Sequence, residues 1–144
     1  MKTKNLNRLL TLLLCAALFL TLLSACSTKP AVETAPSVLQ DGDALGTGKT
    51  AFTLVIVDKE GATTTVDVRT DEATVGAALL AHNIIAGETS DYGLYVKTVN
   101  GITADYDTDK TYWGFYIDGE YAMTGVDATE IVAGTTYTLR VEQG

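Results

Sequence analysis

Three aspartates at alternate positions are the first residues of this chain whose types and spacing could do chemistry. Asp105, Asp107 and Asp109 have the spacing with which an oxygen-ligated calcium loop begins. Such a loop then needs glycine at its sixth position and glutamate at its twelfth, where this chain has Lys110 and Tyr116. Two interpretations stay open: a weak calcium site on one face of an extended segment, or a solvated acidic turn.

Candidates for catalysis are few. His82 is the only histidine, and helical spacing puts it on or beside the apolar face of Val75 and Leu79, where a structural role is expected. Without a second histidine or a free thiol, a nucleophile–base triad lacks its usual base. The sequence therefore predicts no catalytic residues, no cofactor and no enzymatic activity.

The aromatic stretch from Tyr112 to Tyr121 is the strongest candidate for a binding surface. Asp118-Gly119 between two β-forming arms indicates a two-residue type I′ turn. That register pairs Tyr116 with Tyr121 and divides the hairpin between two faces. The face expected in the core carries Trp113, Phe115, Ile117 and Ala122. The other face is expected to carry Tyr112, Gly114, Tyr116, Tyr121 and Met123, with Met123 opposite Gly114.

This second face is predicted to bind a ligand through Tyr112, Tyr116, Tyr121 and Met123. Nothing projects from Gly114, which leaves a gap between the rings. Such a surface suits stacking with a flat or ring-shaped ligand, or contact with an apolar patch of a partner protein. The alternative is that both faces are covered and only the tyrosine hydroxyls reach the rim.

Hydrophobic patterns predict an α+β fold built on one mixed sheet. Strands are expected over the ranges 51–58, 63–69, 94–100, 112–117 and 136–142, and one amphipathic helix over 74–83. A single helix covers one face of a sheet, so four to six strands should pack with it as a layer pair. This order suits a β-grasp, in which the last strand lies beside the first. One domain is expected over residues 50–144.

The N-terminus has the pattern of an export signal. Lysines and an arginine precede an apolar run from Leu9 to Leu23, which as a helix is about 22 Å long and short of the ~30 Å hydrocarbon core of a bilayer. The run ends in Leu23-Ser24-Ala25-Cys26, which resembles the bacterial lipobox. That resemblance implies that residues 1–25 are a lipoprotein signal peptide and that Cys26 carries lipid on its sulfur.

The composition and charge of the mature chain limit which partners are expected. Residues 26–49 are rich in small and polar residues and are predicted to be a flexible tether. The signal holds three of the ten basic residues and none of the eighteen acidic ones, so seven basic residues face eighteen acidic ones, a net charge of −11. Nucleic acid is therefore not an expected partner. Membrane attachment is expected through lipid on Cys26, on the extracytoplasmic side.

A resemblance to a known family is carried by residues along the second half of the chain. They are Val99-Asn100-Gly101, the hairpin from Tyr112 to Ala122, Gly125-Val126-Asp127, Ile131, Gly134, Tyr137 and Leu139. In these residues the sequence resembles the DUF4430 family, whose domain is similar to the C-terminal β-domain of transcobalamin and intrinsic factor. The resemblance implies a β-grasp-like fold and a surface-attached bacterial protein.

Two functions follow as hypotheses. The first is a lipid-anchored extracytoplasmic binding or interaction module, with a corrinoid-like or other ring-shaped ligand, a glycan or a protein as the candidate partner. The second is a structural surface module that mediates protein–protein contacts and has no small-molecule site. The first hypothesis places the binding surface on the aromatic hairpin.

Overall fold

The computed structural model describes residues 38–144. The predicted signal peptide, Cys26 and the first part of the predicted tether lie outside these residues. The described chain forms nine strands and two short helices: β1 Asp43–Leu45, β2 Thr50–Val57, β3 Thr63–Thr70, α1 Val75–Ala81, β4 Ile85–Ser90, β5 Gly93–Val99, β6 Ile102–Thr103, α2 Tyr106–Asp109, β7 Thr111–Ile117, β8 Glu120–Tyr121 and β9 Thr136–Gln143. Neither of these helices has the length and apolar character needed to cross a membrane.

A mixed six-stranded sheet forms the main layer, in the order β1-β3-β2-β9-β7-β8. The C-terminal strand β9 runs parallel to β2, the first long strand, with Leu54 opposite Tyr137. β1 is parallel to β3, and the remaining pairs are antiparallel. The predicted α+β class and the mixed sheet are therefore confirmed, as is the position of the last strand beside the first.

A separate three-stranded sheet, β4-β5-β6, was only partly predicted. Its central strand β5 was expected, but β4 shows no alternation of apolar and polar residues. Only Ile85 of β4 is buried, and the register shifts between Ala86 and Gly87. An exposed edge strand with a bulge leaves no two-residue hydrophobic period to detect in the sequence.

One hydrophobic core joins the two sheets and the longer helix. Strands β2 and β3 send alternate residues into it, among them Leu54 and Val66, as the two-residue period of a strand requires. Helix α1 adds Val75 and Leu79, both fully buried, and the small sheet adds Val99. The predicted amphipathic helix is thus confirmed, although its observed length is seven residues.

Helix α1 carries a glycine for a steric reason. A Cβ added at Gly76 would lie 2.9 Å from Cα of Asp127, so a larger residue would push the 125–128 segment away. The N–H of Gly76 donates to the carbonyl of Val126 at 2.7 Å. Gly76 weakens the isolated helix, and this close approach explains why glycine stands there.

The folded region begins earlier than predicted. The tether was expected to extend to Lys49, whereas β1 pairs with β3 and Leu39 is buried in the core. The side chain of Asn100 holds Leu39 from 61 residues away, with the N–H of Leu39 donating to Oδ1 at 2.7 Å and Nδ2 donating to the Leu39 carbonyl at 3.1 Å. Such a contact between distant segments has no local signal in the sequence.

Candidate functional site

The β7–β8 hairpin has the turn that the sequence predicts. Asp118 and Gly119 both have positive φ, 49° and 88°, as a type I′ turn requires. Tyr116 lies opposite Tyr121, and Ile117 lies opposite Glu120. The turn is also fixed from outside the hairpin, because the N–H of Thr136 donates to Oδ1 of Asp118 at 2.9 Å.

The predicted division of the hairpin into two faces is confirmed for β7. Trp113 and Phe115 are both buried in the core. The indole Nε1 of Trp113 donates to the Lys97 carbonyl at 3.2 Å, and the Phe115 ring stacks on Tyr137 with centroids 6.0 Å apart. These contacts connect β7 to β5 and β9, so the hairpin is held by both sheets.

The outer face carries a connected group around Tyr116. Its ring meets Tyr121 edge to face at 5.3 Å between centroids, and the Arg140 guanidinium lies 4.9 Å from its centroid. Its hydroxyl donates to Oε1 of Glu142 at 2.5 Å. That hydrogen bond to a carboxylate raises the pKa of Tyr116 above its ordinary value.

The predicted gap at Gly114 is not open, which corrects one feature of the expected surface. A Cβ at Gly114 would lie 2.9 Å from Cγ of Glu142 and 3.2 Å from Cε2 of Tyr116. These two side chains therefore lie over the glycine. Tyr112 stays on this face, opposite Glu142 in the register.

Met123 does not lie opposite Gly114, which corrects the expected grouping with Tyr112. Strand β8 ends at Tyr121, and the last hairpin contact is the N–H of Ala122 donating to the Phe115 carbonyl at 2.9 Å. The chain then turns toward α1, where the carbonyl of the buried Val126 accepts from the N–H of Gly76 at 2.7 Å. Met123 is 96% exposed on this diverging segment.

A cleft of about 240 Å³ opens beside β7, where the segment that follows β8 diverges from it. Its floor includes Trp113 and Phe115, and its walls come from the start of β5 and the segment after β8. Its full lining is Leu94, Tyr95, Val96, Trp113, Phe115, Tyr121, Ala122, Met123, Thr124, Gly125, Val126 and Leu139. A second hollow of about 390 Å³ adjoins it and shares Tyr121, Ala122 and Met123. Of the four predicted ligand-binding residues, the cleft therefore brings together only Tyr121 and Met123.

The edge of β7 beside this cleft offers backbone hydrogen-bonding groups. β8 pairs with β7 only at Tyr116 and Ile117, so among residues 38–144 no strand covers this edge from Thr111 to Gly114. The carbonyl of Phe115 faces this edge, where it binds Ala122. By the two-residue period, the N–H and C=O of Trp113 face it too. The sequence missed this edge because the missing partner strand results from the turn toward α1.

The acidic segment is a helical turn, which agrees with the interpretation as an acidic turn and not with that of an extended segment. Asp105 is the N-cap of α2 and accepts from the N–H of Asp107 at 3.0 Å. That bond, with Lys97 nearby, lowers the pKa of Asp105. Asp109 forms an ion pair with Lys59, and that hydrogen-bonded contact lowers the pKa of Asp109 far below its ordinary range.

The three carboxylates of this segment therefore do not share one face. Within the part of the chain that the structure describes, no three His, Cys, Asp or Glu side chains are grouped so as to hold a metal ion. The calcium interpretation of Asp105, Asp107 and Asp109 stays a prediction. His82 is the C-cap of α1 and is not among the residues that line the cleft.

Comparisons with known proteins agree with this architecture. A solved structure from Ruminococcus gnavus ATCC 29149, described as a proposed metal-binding protein, is 27% identical with a TM-score of 0.64, over 67% of this chain and 99% of that one. Haptocorrin in complex with Cbi is 20% identical with a TM-score of 0.50, over 65% of this chain but only 25% of haptocorrin. The likeness to haptocorrin is a likeness of fold.

The family is shown by sequence. No curated protein matches this chain. The model described as "Domain of unknown function (DUF4430)" matches residues 72–143, which is half of the chain and runs from the start of α1 to the end of β9. The protein therefore belongs to the DUF4430 family.

Proposed function

We propose that this protein is a lipid-anchored extracytoplasmic binding module. Its cleft, between β7 and the segment that follows β8, would receive part of a ring-shaped ligand such as a corrinoid. One observation carries the proposal. Of the eight large hydrophobic residues exposed in residues 38–144, three line this one cleft: Tyr95 at 41%, Tyr121 at 57% and Met123 at 96%. Clustered exposed apolar side chains above an aromatic floor are typical of binding surfaces.

The size of the cleft bears on how such a ligand would sit. Its volume of about 240 Å³ is below the range of roughly 300–1,000 Å³ that encloses a drug-sized molecule. A corrin ring would therefore insert one edge or substituent and lie across Tyr121 and Met123 toward the adjoining hollow. The N–H and C=O of Trp113, on the edge of β7 that no strand of residues 38–144 covers, would be hydrogen-bond partners for amide substituents at the ring edge. This domain would form one wall of the complete site.

The similarity of fold to haptocorrin supports a corrinoid as the ligand. That protein is solved in complex with Cbi, and this chain spans a quarter of its length. The proposed role is binding rather than catalysis, in keeping with the single histidine of the sequence. A structural surface module that mediates protein–protein contacts and has no small-molecule site is the competing function.

Truncation of the two exposed rim residues tests the binding proposal. Tyr121→Ala and Met123→Ala are each expected to weaken corrinoid binding about tenfold, which is about 1.4 kcal/mol, because each removes contact area at the cleft. Isothermal titration calorimetry with cobinamide measures the effect. Stability should change little, because both side chains are largely exposed.

Tyr92→Ala is the matched control, because Tyr92 is fully exposed and does not line the cleft. It should bind like the unmodified protein. Equal affinities in all three variants would contradict the placement of the site. Failure of the unmodified protein to bind any corrinoid or glycan would favour the competing structural module.

Anchoring is tested separately at Cys26. In a bacterial host, Cys26→Ser is expected to abolish incorporation of a labelled fatty acid into the protein, because the thiol that would carry the lipid is removed. Metabolic labelling followed by gel analysis measures this, and Cys15→Ser is the matched control within the predicted signal. Labelling of the Cys26→Ser variant would contradict lipid attachment at this residue.

A further inference from the structure

The charges around the cleft have one sign. None of the residues that line the cleft or the adjoining hollow is basic, whereas the hollow includes Asp118 and Glu120. The whole stretch from Gly114 to Leu139 contains four acidic residues and no lysine, arginine or histidine. The cleft is therefore set in a negative region of an already acidic protein.

Asp127 brings a carboxylate to the rim of the cleft. A Cβ added at Gly125, which lines the cleft, would lie 2.7 Å from Oδ1 of Asp127. A Cβ at Gly93, next to the lining residue Leu94, would lie 2.7 Å from Oδ2. The carboxylate thus lies between the segment after β8 and the β4–β5 hairpin, in space that two glycines leave free.

The basic side chains near the cleft already contact acidic or aromatic residues of the protein. Lys97 of β5, which follows the lining residue Val96, contacts Glu88 at 3.1 Å and Asp105 at 3.5 Å. Arg140 lies on the outer face over Tyr116. By contrast, the Asp127 carboxylate makes no hydrogen bond or ion pair with another residue among residues 38–144, and Asp127 is an exposed residue that directly follows Val126 of the cleft lining. Its charge is therefore available to a bound molecule.

We propose that this cleft selects ligands with a positive charge on a flat, largely apolar body. The aromatic floor and the Tyr121–Met123 rim bind the apolar body, while Asp127 and the hairpin-tip carboxylates attract the charge. Tyrosine and tryptophan rings add to this preference, because their faces attract cations. The inference rests on the proposed binding function and adds a charge requirement that an apolar cleft alone would not impose.

A matched pair of corrinoids tests the charge requirement on one ring. Cobinamide with one cyanide and one water on cobalt carries one positive charge, whereas dicyanocobinamide in excess cyanide carries none. The cationic form is expected to bind about tenfold more tightly at low salt, because two or three partly solvated carboxylates each contribute a small attraction. This preference should shrink as added salt screens the charges. The corrin absorption spectrum checks that neither form exchanges its axial ligands on binding.

Asp127→Asn assigns the effect to a residue. It preserves the size of the side chain and should reduce the affinity for the cationic form about threefold to fivefold, while binding of the neutral form stays unchanged. Asp67→Asn is the matched control, because it removes the same charge from the exposed face of β3, away from the cleft. It should leave both affinities unchanged.

The outcomes separate this inference from the function on which it rests. A cationic preference that Asp127→Asn reduces and Asp67→Asn does not supports the charge requirement. Equal binding of the two forms, or equal effects of the two variants, overturns it and leaves the binding function standing. No binding of either form overturns both.

Discussion

Replacing Trp113 with alanine is expected to lower the free energy of unfolding by about 3–5 kcal/mol, the range for large aromatic truncations in cores. Trp113 is only 8% exposed, and its indole fills the space between β7 and β5. The surrounding strands are held by their own backbone hydrogen bonds, so they would fill the cavity left by the indole only partly. Urea denaturation followed by circular dichroism measures the change.

Trp113→Phe separates packing from the hydrogen bond of the indole. It retains an aromatic ring but loses the bond from Nε1 to the Lys97 carbonyl. That carbonyl still accepts from the N–H of Ala104 at 2.9 Å, so it is not left unpaired. The expected loss is therefore only about 1–2 kcal/mol. Should Trp113→Ala fail to fold, Trp113→Phe and Trp113→Leu still provide a graded series.

Tyr92→Ala is the surface control for this series and should change stability by less than about 0.5 kcal/mol. A loss below about 1 kcal/mol for Trp113→Ala would contradict the placement of the indole in the core. Because Trp113 is also part of the cleft floor, the folded Trp113→Phe variant should bind cobinamide more weakly than the unmodified protein does.

Features fixed by neighbouring residues could be predicted from the sequence. A two-residue Asp118-Gly119 turn sets the register of its own arms, so the pairing of Tyr116 with Tyr121 follows. Alternation along β7 then assigns Trp113 and Phe115 to the core. The last strand was likewise recognisable, because Tyr137 and Leu139 alternate with polar residues.

Features fixed by distant residues could not be predicted in this way. Met123 leaves the hairpin because Val126 packs near Gly76 of α1, and nothing next to Met123 indicates that contact. The gap at Gly114 is filled by Glu142, which reaches it from another strand. The cleft and the free edge of β7 both arise from such contacts between separate elements, so the candidate site was only half predicted.

The contact between Asn100 and Leu39, which fixes the N-terminal segment of the fold, is also set by residues far apart in the sequence. Asn100→Ala is expected to lower the free energy of unfolding by about 2–3 kcal/mol. Two hydrogen bonds to the backbone of Leu39 are lost, and an unpaired backbone group in a buried site costs about 1–3 kcal/mol. Alanine also tolerates the φ of 51° at this position less well than asparagine does.

Asn100→Gly distinguishes these two causes, because glycine adopts positive φ freely and yet cannot hold Leu39. The stability difference between the glycine and alanine variants measures the backbone strain, and the remaining loss measures the contact with Leu39. Asn83→Ala is the control for position, since Asn83 also has positive φ, 56°, but its side chain holds no distant segment in the described chain.

Hydrogen exchange shows where the stability is lost. If Asn100 ties the N-terminal segment to the domain, amides of β1 should exchange much faster in Asn100→Gly, while those of β2 and β9 keep most of their protection. Uniform acceleration would instead mean that Asn100 supports the whole core through its own N–H, which donates to the Ile84 carbonyl at 2.7 Å. Unchanged protection of β1 would contradict the contact. Release of the segment from Leu39 to Leu45 would free about seven residues from the fold, at up to ~3.5 Å each.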